Sequence, residues 1–243
     1  MSRTALITGA SRGIGAAIAE VFARDGYHLS LCCQHSQAQL DALAQHLAEQ
    51  YHIQSLTFSG DVSDYSFIHN MVTSTLDCFG HIDVLINNAG ISYIGLLSDM
   101  SPEEWNRMVS VNLTSVFNTC QCTIPSMVNR KHGKIINISS VWGNAGASCE
   151  VAYSACKGGI NSFTKALGKE LAPSDIQVNA IACGMIDTDM NACFSPEEKQ
   201  AVLDEIPAGR MGTPREVAEL ALSIASGHGY LNAQVITLDG GWI

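Results

Sequence analysis

The chain has 243 residues, 47% of them hydrophobic and 15% charged, a length that one α/β domain can organise around a single core. Thirteen Lys and Arg against 23 Asp and Glu leave a formal charge of −10, so no strong basic field exists to draw in nucleic acid or an anionic membrane. No apolar run approaches the ~18 residues of a membrane-spanning helix, and Arg3 and Arg12 interrupt the stretch where an export signal would be apolar. Nine cysteines are an odd number, and Cys32-Cys33 and Cys120-Gln121-Cys122 fit neither zinc-ligand nor redox C-x-x-C spacing. They are expected to be reduced core filler in a cytoplasmic protein.

In chain order, short apolar runs at 4–8, 29–33, 55–59, 84–87, 134–138, 177–181 and 235–238 predict seven strands. Helical periodicity at 14–25, 37–51, 67–79, 102–128 and 151–171 predicts the crossovers between them. This alternation predicts one doubly wound α/β domain over 1–243, its seven-stranded parallel sheet covered by helices on both faces. Ser101-Pro102-Glu103-Glu104 and Ser195-Pro196-Glu197-Glu198 read as helix starts, each with an N-cap, a first-turn proline and acids over the positive helix end. The long excursion 184–212 follows the sixth strand. Because ligands of such sheets sit at the carboxyl ends of the strands, it is expected to be a substrate lid.

Between the first strand and the first helix lies Thr8-Gly9-Ala10-Ser11-Arg12-Gly13-Ile14-Gly15. Glycines at these positions let the backbone turn sharply and approach a pyrophosphate, while the helix N-terminus offers N–H donors, so the domain is expected to be Rossmann-like. An NAD site of this kind places an acid about 20 residues beyond the turn to hold the ribose 2′-hydroxyl. Cys33 stands there instead, followed by Gln34-His35-Ser36, and no acid occurs between Asp25 and Asp41. With Arg12 in the turn and Gln34, His35 and Ser36 as donors, the expected cofactor is NADP(H) rather than NAD(H).

Tyr153 and Lys157 stand four apart in a helical segment, which stacks phenol and ammonium on one face. A cation stabilises the phenolate and makes the phenol a better proton donor near neutrality. Ser139-Ser140 close the fifth strand and Asn87-Asn88-Ala89-Gly90 close the fourth. Taken in order with the glycine turn, Asp61-Val62, Asn112 and the closing Leu238-Asp239-Gly240-Gly241, these residues resemble the short-chain dehydrogenase/reductase family over essentially the whole chain. Within that family the chain is most similar to the 3-oxoacyl-[acyl-carrier-protein] reductases.

The resemblance implies that Tyr153 donates the proton to a carbonyl oxygen, that Ser140 hydrogen-bonds that oxygen, and that Lys157 lowers the Tyr153 pKa and holds the nicotinamide ribose. Asn112 would position a water feeding protons toward Lys157; taken outside this constellation, it reads as a residue that caps or bridges backbone. Asp61 and Val62 would contact the adenine. Asn88, Ala89 and Gly90 would pack along the cofactor, as would Gly184, Ile186 and Thr188 at the start of the lid. The expected activity is NADPH-dependent reduction of a ketone to a secondary alcohol in fatty acid biosynthesis. A homotetramer is implied as well.

Three departures qualify this expectation. Cys183-Gly184 replaces the usual Pro-Gly, which relaxes the loop and sets a thiol near the cofactor, either shielded by it or inert. Lys131, with Arg130 and Lys134, could form a small basic patch for an acidic acyl carrier protein, but the second expected basic position holds Ser174-Asp175. Glu150 stands three residues before Tyr153, where glutamine is usual, and is either solvated or a pocket carboxylate that favours a cationic substrate. Trp142, Met185 and Met190 are core packing or substrate contacts. The segments around Trp142-Gly143 and 146–153 also resemble reductases of the aminopentanone modification on elongation factor P. A non-catalytic NADP(H) sensor is the third reading, although it would not need to keep Ser140, Tyr153 and Lys157 together.

Overall fold

The computed structural model describes residues 3–191 and 194–243, so two positions of the expected lid, Ala192 and Cys193, lie outside the described residues. The strands are β1 (Arg3–Thr8), β2 (Tyr27–Cys33), β3 (Ser55–Ser59), β4 (Val84–Asn87), β5 (Gly133–Ser140), β6 (Ile176–Cys183) and β7 (Val235–Leu238). The helices are α1 (Gly13–Arg24), α2 (Gln37–Tyr51), α3 (Tyr65–Phe79), α4 (Pro102–Val109), α5 (Ser115–Arg130), α6 (Trp142–Ala145), α7 (Val151–Leu171), α8 (Pro196–Glu205) and α9 (Pro214–Ser226).

All seven strands pair in parallel in the order β3-β2-β1-β4-β5-β6-β7. Every residue of β6, and all but the first of β1, is buried, as a sheet covered on both faces requires. One face packs Ile18, Phe22, Leu40 and Val217 from α1, α2 and α9, while Ile68, Met71, Val116 and Ile160 from α3, α5 and α7 cover the other. Consecutive crossovers run outward from β1 toward β3 and from β4 toward β7. A crevice therefore opens between the carboxyl ends of β1 and β4, where the winding reverses.

Three boundaries differ from the sequence expectation in ways that matter for the site. Strands β5 and β6 run to Ser140 and Cys183, beyond the apolar runs that mark them, because Ser139 and Ser140 pair in register with Ala182 and Cys183. Polar residues that continue a buried strand read as loop when only hydropathy is followed. The segment expected as one helix over 102–128 is interrupted by a π-turn over Ser110–Thr114 between α4 and α5. The wider turn aims Asn112 inward, where its Nδ2 donates to Ile91 O at 3.0 Å and Met108 O at 3.1 Å while Oδ1 accepts from Ile91 N at 3.1 Å. Such insertions recur at functional sites.

The helix starts follow the local signals. Ser101, Ser195 and Thr213 each form a reciprocal capping box with a glutamate three residues on, followed by proline in the first turn. Among the described residues the cysteines are free, with Cys32, Cys33, Cys120, Cys156 and Cys183 buried.

Candidate active site

The crevice continues into a cleft of about 940 Å³ that runs along the carboxyl ends of the strands. Its first wall is the glycine turn. Gly9 and Gly13 adopt left-handed φ of 66° and 56°, and a Cβ on Gly15 would lie 2.2 Å from Gly9 O and 2.6 Å from Asn88 Nδ2. The space is thus closed to side chains and left to backbone. Asn88 holds it in shape, its Nδ2 donating to Thr8 O at 2.9 Å and Gly9 O at 3.0 Å. The Thr8 hydroxyl in turn accepts from the N–H groups of Asn88 and Ala89, both at 3.0 Å. Ser11, Arg12, Gly13 and Ile14 line the cleft, whereas Gly15 shapes the turn from behind. A tight cradle at a helix N-terminus beside a cleft of this volume fits a dinucleotide.

Toward the β2 and β3 end, Gln34, His35, Ser36 and Val62 line the wall, with Gly60 beside them. Arg12 is exposed and lies 3.6 Å from Asp189 in the segment after β6. Gln34, expected as a donor to a 2′-phosphate, is otherwise engaged: its Nε2 donates to Asp61 Oδ2 at 3.1 Å and its Oε1 accepts from Arg107 at 3.3 Å. Asp61 does not line the cleft directly. Burial acts to raise its pKa, but hydrogen bonds from Ser63 and from Arg107 outweigh this and hold the carboxyl below its ordinary value.

At the opposite end, β5 and α7 bring Ser140, Tyr153 and Lys157 to one spot. Ser139 fastens the helix to the strand, donating to Asn161 Oδ1 at 2.6 Å and Lys157 O at 3.3 Å. The Lys157 ammonium is buried, donates to Ile138 O at 2.9 Å and sits 5.4 Å from the centre of the Tyr153 ring. Burial pushes its pKa down to about 8, against the opposing influence of Cys183 and Cys156. Burial also raises the Tyr153 phenol above its ordinary value, with Cys183 and Glu150 adding to the effect and a hydrogen bond with Ser140 opposing it. Without cofactor, then, the phenol is held protonated; the expected lowering of its pKa by Lys157 does not dominate. Gly90 leaves the gap beside these groups open, since a Cβ there would lie 2.8 Å from Asn112 Oδ1 and 3.8 Å from Lys157 Nζ. Asn112 itself is fully buried and reaches this gap from behind the cleft wall.

The Cys183 thiol lines the cleft close to Lys157, and burial raises its pKa to about 12, so it stays protonated and is a poor nucleophile. Gly184, Met185, Ile186, Thr188 and Met190 continue the wall into the segment after β6. Glu150 also lines the cleft; burial raises its carboxyl above the ordinary range, and a hydrogen bond from the Trp142 side chain opposes this. Glu150 is thus half-buried at the cleft wall.

Sequence reasoning did not single out Trp242 and Glu205, which complete the far wall. The Trp142 and Trp242 rings meet edge-on at 4.9 Å, and Trp242 Nε1 donates to Glu205 Oε2 at 3.2 Å. Only the position of Trp242, directly after the closing glycines, could have drawn attention to it. Of the expected basic patch, Lys131 is exposed, while Arg130 pairs with Asp83 at 2.9 Å and Lys134 Nζ donates to Gly227 O at 3.0 Å. Both flank the amino end of β5, while Ser140 closes its other end.

The fold and this arrangement define a dinucleotide-binding oxidoreductase. The short chain dehydrogenase family pattern matches residues 3–199, and the chain belongs to that family. It is 39% identical over 243 residues to the uncharacterized oxidoreductase YmfI of Bacillus subtilis, covering 100% of this chain and 99% of that one. To the 3-oxoacyl-[acyl-carrier-protein] reductase FabG of Chlamydia trachomatis it is 41% identical over 242 residues, covering 99% and 97%. The crystal structure of the 3-oxoacyl-[acyl-carrier protein] reductase from Brucella melitensis superposes with a TM-score of 0.92 at 36% identity, covering 99% of this chain and 91% of that one.

Proposed function

We propose that the protein is an NADPH-dependent ketone reductase of the 3-oxoacyl-thioester type. The observation that carries this reading is the convergence of Ser140, Tyr153 and the buried Lys157 at one end of a cleft whose other end is a glycine cradle. The bound reduced dinucleotide would supply the hydride. Ser140 and Tyr153 would hydrogen-bond the ketone oxygen, which places two donors where negative charge develops. Tyr153 Oη would then give up its proton, and the adjacent ammonium of Lys157 would stabilise the phenolate left behind. The gap bounded by Gly90, Asn112 and Lys157 is where a water could carry a proton back. Lys157 would also hold the nicotinamide ribose, and Arg12, His35 and Ser36 would face the 2′-phosphate.

A second reading, reduction of a ketone that carries an alkylammonium group, is favoured by a specific observation. Glu150 and Glu205 stand on the substrate side of the cleft, each bonded to a tryptophan, and the two tryptophans touch. Carboxylates beside aromatic faces suit a cation. A protein-borne aminopentanone, as on elongation factor P, would fit that chemistry, whereas an acyl carrier protein would meet a chain of the same charge sign. The resemblance extends the proposal to a homotetramer, which would cover the exposed Phe117, Val151 and Ile243.

NADPH oxidation measured with 3-oxoacyl thioesters, simple ketones and amino ketones, and repeated with Glu150→Gln, separates these readings. Turnover of neutral thioesters that is indifferent to the substitution supports the first. Turnover confined to amino ketones and cut at least tenfold by Glu150→Gln supports the second, and no turnover of any ketone leaves the sensor.

A further inference from the structure

The β2–α2 segment lacks an acid next to Gln34, yet folding delivers one: Asp61 from the loop after β3 lies within hydrogen-bond reach of the Gln34 amide. A bare carboxylate there would repel a 2′-phosphate in the neighbouring cleft. The protein answers this charge with Arg107, from the last turn of α4. Its guanidinium donates to Asp61 Oδ2, to Ser63 Oγ at 3.3 Å and to Gln34 Oε1 at 3.3 Å. Three elements distant in sequence are thereby closed into one ring, and both ends of the Gln34 amide are fixed.

We propose that Arg107 is a positioning residue that sets the cofactor preference, cancelling the charge of Asp61 and locking Gln34 so that this wall accepts a phosphorylated adenosine ribose. Arg107 does not line the cleft, so it acts through the groups it holds. The inference rests on the NADPH reading above and adds to it the group that makes the reading compatible with Asp61. Removing the guanidinium leaves a net negative charge beside the adenosine end, which opposes a dianionic phosphate far more than a free 2′-hydroxyl. Removing Asp61 as well restores neutrality.

The test is a binding titration without turnover, following NADPH and NADH fluorescence on the full-length chain for wild type, Arg107→Met, Arg107→Lys, Asp61→Asn and the double variant Asp61→Asn with Arg107→Met. The quantity read is the ratio of the NADH to the NADPH dissociation constant. Arg107→Met is expected to lower this ratio about tenfold, Arg107→Lys to stay within threefold of wild type, Asp61→Asn to leave the ratio equal or higher, and the double variant to return to within threefold. A ratio that changes less than threefold in Arg107→Met overturns the proposal, as does a double variant that fails to recover it. Equal weakening of both cofactors marks a merely structural arginine and overturns it too. Should Arg107→Met fail to fold, the double variant and Asp61→Asn still decide, because a ratio lowered in either contradicts charge cancellation. Wild type binding both cofactors equally would sink the NADPH reading itself, an outcome separate from the change on substitution.

Discussion

At Tyr153 the protein holds a phenol that its surroundings keep protonated, beside a lysine that they bring close to neutrality. Tyr153→Phe removes the proton and leaves the cofactor cradle intact, so turnover is expected to fall at least a thousandfold while NADPH fluorescence still reports binding. Substantial remaining activity would sink the assignment. Lys157 predicts a pH limb. The value of kcat/KM for NADPH reports the free enzyme; the ammonium is lost as pH passes through about 8, so kcat/KM should decline above that pH. A profile flat to pH 10 contradicts this role. The stability effect has the opposite sign. The folded pKa lies below the unfolded value, so the penalty for burying the charge is fully present below about pH 8 and relaxes as pH rises toward 10.5. The types and spacing of Tyr153 and Lys157 were legible in the sequence because both lie on one helix. Glu205 and Trp242 were not, since their partnership joins α8 to the residues after β7, which no local spacing relates.

Elements set how accurately these side chains are placed. The turn from β1 to α1 tolerates no Cβ at position 15, so Gly15→Ala must push apart Gly9 and Asn88. NADPH affinity is expected to drop by two orders of magnitude or more, with secondary structure by circular dichroism retained; near-native affinity would mean that the cradle is not the dinucleotide site. At α9 the capping box is a matter of stability alone. Thr213 Oγ1 accepts from Glu216 N at 3.2 Å, while the Glu216 carboxylate accepts from Thr213 N at 2.8 Å. Thr213→Ala should cost about 1 kcal/mol in urea unfolding and leave kcat unchanged. Such starts are written in three or four consecutive residues, and those at Ser101 and Ser195 were readable. The π-turn was not. Helical periodicity passes through 102–128 without a break, and what selects the insertion is the buried bond of Asn112 to the backbone at Ile91, a partner remote from the helix.

The whole molecule separates chemistry from anchorage along the strand direction, with the cleft at the carboxyl ends and a charged knot at the amino ends. There the buried Asp83 accepts from Thr4 N at 2.8 Å and Arg130 Nη2 at 2.9 Å, with His81 at 3.2 Å, and so ties β1 to the end of α5. Asp83→Ala strands a buried N–H and a half-buried guanidinium, and should lower stability by about 2–3 kcal/mol. Activity at neutral pH should be unaltered, since the knot lies across the sheet from Tyr153; a matching loss of kcat would contradict this separation. Arg130 and Lys134 of the basic patch belong to that anchoring end in the single chain, where the arginine pairs with a carboxylate and the lysine donates to a backbone carbonyl.

The sequence by itself determined the parallel sheet, its winding, the glycine turn and the pairing of Tyr153 with Lys157, because each is encoded by period or spacing within one βα unit. It also set the acidic charge and the absence of a basic surface field. Only the tertiary structure decided that Glu150 is half-buried in the cleft wall beside a tryptophan, that Asp61 comes from another loop to Gln34, and that Arg107 meets it there. Those facts depend on which loops the sheet order β3-β2-β1-β4 brings side by side. Contacts between residues distant along the chain leave no period to read, and it is through such contacts that the site acquires its charge balance.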